Sequence, residues 1–270
     1  MILTRDRPRP AGRRGLNGSV RLTFERRGPR TILAESRIEA PMTVVRPFDL
    51  PGGRLMIQLI TLGPGLCGGD SVRIDIAAGD GTRVVVTTTA ASRIMSMEAG
   101  AHAEQHVTLR AGHDAALEYY PLVTIPFPGS ALTQTVRVEA EATSRVGVLE
   151  TWALGRAARG EYLEFTCLSS RTTMSVDGML RYGDATHLEP AAQDVAGGAI
   201  LAGHRYLATG FWQGATLPAR TLPQPCPGDV LMAFGQSRPG LVYLRALADD
   251  GPALEAALRL ATAAVAGAWL

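Results

Sequence analysis

Three stretches of the chain hold residue types that could do chemistry. The first is "GPGLCGGD" (63–70), where Gly63 and Gly68 are followed by Gly69 and Asp70. A phosphate loop uses that glycine spacing and then Lys–Ser or Lys–Thr, with a strand before it and a helix after it. No lysine follows here, and none occurs anywhere in the chain, so all 27 basic residues are arginines. The segment after Asp70, "SVRIDIAAGDGT", reads as a strand and a turn. Phosphate cradling and lysine Schiff-base chemistry are both excluded. The glycines instead permit positive φ and close backbone packing. Asp70 stands at the start of a strand, where its carboxylate can accept hydrogen bonds from turn amides. A buried carboxylate at that place is costly unless it is paired or hydrated.

The second stretch is His102-x-Glu104-x-His106. On a strand these three share one face, which is metal-ligand spacing. The same alternation in "AHAEQHVTL" also reads as a solvated polar face. The third is "TWALGRAARGEYLEF" (151–165), where Arg156 and Arg159 sit among Gly155 and Gly160 and the stretch runs on to Glu161. It is either a hairpin tip or an interaction loop whose arginines pair with a partner's carboxylates. Nucleophilic catalysis is poorly served. There is no G-x-S-x-G, and none of Cys67, Cys167 and Cys226 has a histidine beside it in sequence. Three scattered cysteines without C-x-x-C give neither a disulfide framework nor a zinc knuckle, and they fit a reducing cytoplasm.

The elements that must position these residues are strands. Period-2 alternation dominates. "VRLTFER" (20–26) puts Val20, Leu22 and Phe24 on one face; "TQTVRVEAE" (133–141) and "EYLEFTCLS" (161–169) alternate similarly. "RLMIQLITL", "SVRIDIAA", "TRVVVTTT", "AALEYY" and "RVGVLETW" read as further strands. Turn signals punctuate them at Gly79–Gly81, Ala111–Asp114 and Asp177–Gly178. The fold class expected is mainly β, a many-stranded irregular sandwich or distorted solenoid with about two helices. No strict sequence repeat supports a regular solenoid. One helix spans 252–270, with Pro252 in its first turn and Leu254, Leu258, Ala261 and Val265 at helical spacing. A weaker one lies near 191–205.

No interdomain linker is visible, so residues 18–270 read as one domain behind an arginine-rich arm at 1–17. Nine arginines fall within residues 1–30, against Asp6 and Glu25. The arm is either simply solvated or docks on an acidic partner. A proline-rich surface loop is expected at 215–228. The net charge of +2 is too small to argue for nucleic acid. The N-terminal stretch lacks the apolar run of a secretory signal. The C-terminal run "LATAAVAGAWL" is about half a membrane span. A cytoplasmic protein with no membrane partner is expected.

Five motifs in order then carry a resemblance: "GPGLCGGD" (63–70), "TTTAASRI" (87–94), "ALEYYPLVTIPFPGS" (116–130), "LETWALGRAARGE" (149–161) and "RTTMSVDG" (171–178). Together, over roughly residues 19–190, they resemble the urease accessory protein UreD family, called UreH in some organisms. Two departures stand out. Pro64 lies where that family often has a small residue, and "TTTAAS" replaces its commoner threonine-glutamine-alanine wording. The resemblance implies a β-rich, non-enzymatic protein that binds apo-urease and the helical accessory protein UreF. The GTPase UreG joins through UreF, so GTP is handled by a partner. No cofactor is permanently bound, and Ni²⁺ passes transiently.

The family's polar route maps by motif onto Asp70, Ser92, Glu150 and Asp184. Oxygen ligands hold nickel less tightly than thiolate or imidazole, which suits an ion that must move on. Water in such a passage relieves the cost of burying its charges. The apolar stripe of the C-terminal helix, with Leu254 and Leu258, is expected either to contribute to the UreF contact or to be a lid on the chain's own core, and Arg156, Arg159 and Glu161 are expected to contribute to a partner contact. Two other functions compete. One is an enzyme for a small polar substrate, with Asp70 and Glu150 as acid and base. The other is a free-standing nickel chaperone that stores the ion at His102, Glu104 and His106.

Overall fold

A computed structural model describes residues 15–217, 229–238 and 240–266. The strands in chain order are β1 (Asn17–Arg27), β2 (Arg30–Glu39), β3 (Met42–Val44), β4 (Phe48–Leu50), β5 (Arg54–Thr61), β6 (Ser71–Ala78), β7 (Arg83–Thr88), β8 (Ser92–Ile94) and β9 (Ala103–Ala111). They continue as β10 (Ala116–Tyr120), β11 (Thr124–Pro126), β12 (Ala131–Ala140), β13 (Arg145–Ala153), β14 (Cys167–Val176), β15 (Met179–Leu188), β16 (Tyr206–Gln213), β17 (Leu231–Arg238) and β18 (Leu241–Ala248). One α-helix, α1 (Gly251–Ala266), follows.

Two sheets face each other. The first runs β15-β14-β12-β9-β6-β1-β2, and the second β17-β18-β16-β13-β10-β7-β5-β3. Through the middle of the chain, successive long strands switch sheets, and each pairs in parallel with the strand one coil earlier: β6 with β9, β9 with β12, β7 with β10, and β10 with β13. The result is a solenoid-like coil closed at its ends by antiparallel strands. Ser71, Glu104, Thr133 and Ser169 stand in one row across the first sheet, so successive coils use 33, 29 and 36 residues. Unequal coils hide the repeat from sequence. What repeats is chemistry. The inward faces are apolar, and one small residue, Thr82, Ala115 or Ser144, is buried where each coil turns toward its second-sheet strand.

The two inner faces form the main core, with Leu22, Phe24, Ile57, Ile76, Leu109, Leu117 and Trp152 buried. Helix α1 lies on the outer face of the second sheet. Leu254, Ala257, Leu258, Ala261 and Val265 pack there with Trp212, Val242, Leu244, Ala246 and Ala248. The stripe is a lid on the chain's own sheet, which corrects the expectation that Leu254 and Leu258 face a partner. Leu254 is 1% exposed. Leu254→Ala is expected to cost about 2–4 kcal/mol, the usual loss for a leucine removed from a core, measurable as a lowered urea midpoint.

Other boundaries also differ from expectation. Residues 161–166 are not a strand; Gly160 and Leu163 have positive φ, 77° and 57°, which breaks extended backbone. The segment near 191–205 forms separate turns and no helix. Gly197 and Gly198 weaken helix propagation, and Ala202 and Gly203 take positive φ. Helix α1 starts one residue earlier than read, because Asp250 Oδ2 accepts the Ala253 N–H at 2.8 Å as an N-cap. Asn17, read as the end of the arm, already belongs to β1. Residues 1–14 of the arm, 218–228 of the proline-rich loop, and 267–270 lie outside the described residues.

Candidate functional site

Sequence places polar residues on the inward face of both sheets at one level. Gln105 on β9, Gln134 on β12 and Ser170 on β14 stand in one row of the first sheet, with Thr172 and Asp184 in the next. Opposite them, Glu150, Thr209 and Arg245 form a row of the second sheet. The neighbouring inward positions Ala103, Val107, Leu132, Val136, Val148 and Trp152 are apolar and buried, so the buried polar groups set among them need partners.

They do so as a chain. Gln105 Nε2 donates to Gln134 Oε1 at 3.0 Å. Gln134 Nε2 donates to Glu150 Oε1 and, at 3.3 Å, to Ser170 Oγ. Thr172 Oγ1 donates to Glu150 Oε2 at 3.4 Å. Beside Thr172, Asp184 is held by Arg245 Nη2 from the other sheet. Burial pushes the Glu150 carboxyl up to about 7; the Gln134 and Thr172 hydrogen bonds pull it down, and the Asp184 charge adds to the rise.

A cavity of about 110 Å³ meets this chain, lined by Ser92, Gln105, Tyr119, Gln134 and Glu150 among others. Thr88–Arg93 form part of its wall, and Thr89 and Ala90 there are exposed. Ser92 and Glu150 therefore share one cavity, and Asp184 adjoins it through Thr172. Asp70 does not line it. Its Oδ1 accepts the Leu16 N–H and its Oδ2 the Cys67 N–H, both at 2.8 Å. That carboxylate caps the 67–70 turn, so Asp70 leaves the polar route expected for it.

The other expected residues are placed elsewhere. His102, Glu104 and His106 lie on the outer face of the first sheet. His102 Nε2 is 3.3 Å and His106 Nε2 3.5 Å from the Glu104 carboxylate, and the two rings hold that carboxyl below its usual range. His106 Nδ1 shares a hydrogen bond with Thr135 Oγ1. Among the described residues no group of three or more His, Cys, Asp or Glu side chains is arranged to hold a metal ion. The trio is a solvated polar row on the sheet surface, the other of the two readings of its alternation, and the ligand-set reading is corrected. Arg156 pairs with Glu161 in its own loop and lies over the Phe127 ring at 4.2 Å, so both charges are satisfied within the chain. Arg159 is exposed.

Sequence reasoning missed three features. Gln105 and Gln134 are amides on strand faces otherwise filled by Ala103, Val107, Leu132 and Val136, and that mismatch was the readable signal. Cys167 and His187 come within 4.0 Å across the β14–β15 hairpin, although they are distant in sequence. Glu118 lies on the opposite face of the second sheet from the cavity, 3.9 Å from Arg54. Burial raises its carboxyl to about 8, against the pull of Arg54 and Arg145.

Both raised carboxyls act on stability with the same sign. In the unfolded chain they ionise near 4.5, while in the folded protein they keep their protons to about 7 and about 8. The folded state binds more protons in between, so stability falls as pH rises from about 4.5 to about 8. Glu118→Gln with Glu150→Gln is expected to flatten that fall, by on the order of a few kcal/mol. Urea unfolding near both ends of the range measures it.

Comparison with known proteins gives the family. A family profile described as UreD urease accessory protein matches residues 16–270. The chain belongs to the UreD urease accessory protein family. A protein named urease accessory protein UreD from Deinococcus radiodurans is 38% identical over 256 residues, covering 93% of this chain and 91% of its own. UreD 1 of a Synechococcus strain is 35% identical over 75% of this chain and 76% of its own, and UreD 2 of Streptomyces griseus 34% over 76% and 72%. Membership of the family gives the chain a role in urease maturation and an association with the maturation machinery. These relatives are named as accessory proteins rather than as urease itself. No helix among the described residues is long and apolar enough to cross a membrane.

Proposed function

We propose that the chain is a cytoplasmic, non-enzymatic scaffold of urease maturation that binds apo-urease and UreF, with UreG joining through UreF, and that its interior passes Ni²⁺ toward the urease active site. The observation that carries this reading is the polar level between the sheets, from the wall at Thr88–Arg93 through Glu150 to Asp184 and Arg245.

The ion is cargo here, so weak binding is an advantage. Glu150 offers oxygen, as do Ser92, Ser170 and Thr172, and oxygen donors release a borderline metal more readily than sulfur or imidazole would. A carboxyl near 7 is poised between acid and carboxylate. Its neutral form lowers the cost of the empty, buried site, and an arriving cation replaces the proton.

The competing enzyme reading pairs Asp70 with Glu150 as acid and base. Both Asp70 oxygens are taken by backbone amides outside the cavity, which disfavours it. The storage-chaperone reading lacks a preassembled ligand group at His102, Glu104 and His106. The decisive experiment is a pull-down of tagged chain from cells expressing a urease operon. Apo-urease, UreF and UreG are expected in the eluate, and a chain that elutes free of urease and UreF would count against the scaffold.

A further inference from the structure

The Glu150 site as it stands presents the wrong end of an amide to a cation. Gln134 turns its NH₂ group toward Glu150 Oε1 and Ser170 Oγ, and its carbonyl toward Gln105. A divalent ion bonded to Glu150 at about 2.0–2.2 Å would sit against those N–H groups, which are the positive end of the dipole. Gln134 is 2% exposed and lines the cavity, so its amide is fixed at the Glu150 carboxylate.

We propose that Gln134 is a ligand of the passing cation and that it becomes one by turning its amide over. This rests on the nickel-passage reading. A half-turn about the last side-chain bond exchanges Oε1 and Nε2 at almost no cost in volume. The carbonyl then joins Glu150 and the Ser170 and Thr172 hydroxyls in an all-oxygen set drawn from both sheets. The Ser170 hydroxyl, an acceptor at rest, can present either a proton or a lone pair. The turned Nε2 meets Gln105, whose own Nε2 now faces it, so Gln105 must turn as well and accept through its carbonyl. Gln105 can do so because it is half-buried and lines the cavity. The two amides thus have two self-consistent arrangements. With donors aimed inward, the ionised Glu150 is satisfied without an ion. With carbonyls aimed inward, the site requires a cation or a proton on Glu150.

The test is Ni²⁺ binding by the full chain in equilibrium dialysis, with Glu150→Gln as the blank that defines this site. Gln134→Met keeps the length of the side chain and removes both its oxygen and its N–H groups. If Gln134 is a ligand, the Glu150-dependent affinity falls by roughly tenfold or more, as for other losses at a metal site. If Gln134 merely occupies Glu150 as a donor, removing it frees the carboxylate and the affinity stays or rises, which overturns the proposal. Gln134→Leu repeats the test should the Met variant fail to fold. Ni²⁺ binding by the wild type that does not respond to Glu150→Gln overturns the passage reading, and the Gln134 proposal with it. Binding lost in Glu150→Gln but kept in both Gln134 variants overturns the Gln134 proposal alone.

Discussion

Glu150→Gln is expected to leave assembly of the maturation complex intact and to lower the nickel content of urease when nickel is scarce. The substitution suits the geometry. The new amide keeps a carbonyl for the Gln134 N–H and can place its NH₂ toward Thr172 Oγ1, so the hydrogen-bonded chain survives. No surface changes, because Glu150 is 6% exposed. What disappears is the charge and one strong oxygen ligand. A loss of roughly tenfold in loading at limiting Ni²⁺ is the expected size, with partial recovery in excess Ni²⁺ by mass action. Metal analysis of urease purified from cells carrying the variant reads it directly. Full nickel content at limiting supply would remove a charge-dependent passage from this interior. A fall in complex yield that tracks the fall in nickel would mean that Glu150 acts through folding.

Much of the fold was legible. Val20, Leu22 and Phe24 alternate with polar residues and are buried as expected, and the strands read at 54–62, 71–78, 82–89, 115–120 and 145–152 all form. The failures have identifiable causes. Residues 161–166 alternate as a strand would, yet Gly160 and Leu163 at positive φ and the Arg156–Glu161 pair fold them into a loop. Leu254 and Leu258 have the spacing of a helix stripe, and a stripe does not say whose surface it covers. Here Trp212 and Val242 of the same chain lie beneath it. The site was half legible. Glu150 and Ser92 were reached only through motif resemblance. Gln105 and Gln134 could have been found from the residues alone, as amides on inward strand positions, because a buried amide needs partners across the core. Glu118 carried the same signal in "ALEYY", where alternation assigns it to the face opposite Leu117 without saying that this face is also covered.

Asp70 is where motif resemblance and geometry part, and its variants should separate them. Asp70 is 6% exposed, and its two oxygens each take a different backbone N–H. The Leu16 N–H belongs to the lead-in of β1, and β1 then runs parallel to β6 from the Asn17–Ser71 pair onward. The lead-in lies so close to the turn that a Cβ on Gly15 would overlap the Gly69 carbonyl oxygen at 1.7 Å. Asp70 thus ties the first strand to the coil it closes. Asp70→Ala leaves both amides without an acceptor, at about 1–3 kcal/mol for each buried group left unmade. Asp70→Asn is not conservative here. It has one oxygen for two donors on opposite sides, so one amide N–H must face an NH₂ group. Both variants are expected to melt earlier and to reduce complex yield, Ala more than Asn, and added Ni²⁺ should restore neither. Protection from hydrogen exchange should be lost first at the start of β1. An Asp70→Asn protein with wild-type melting and complex yield but nickel-poor urease would return Asp70 to the passage, and would mean that the turn does not depend on the charge that now holds it.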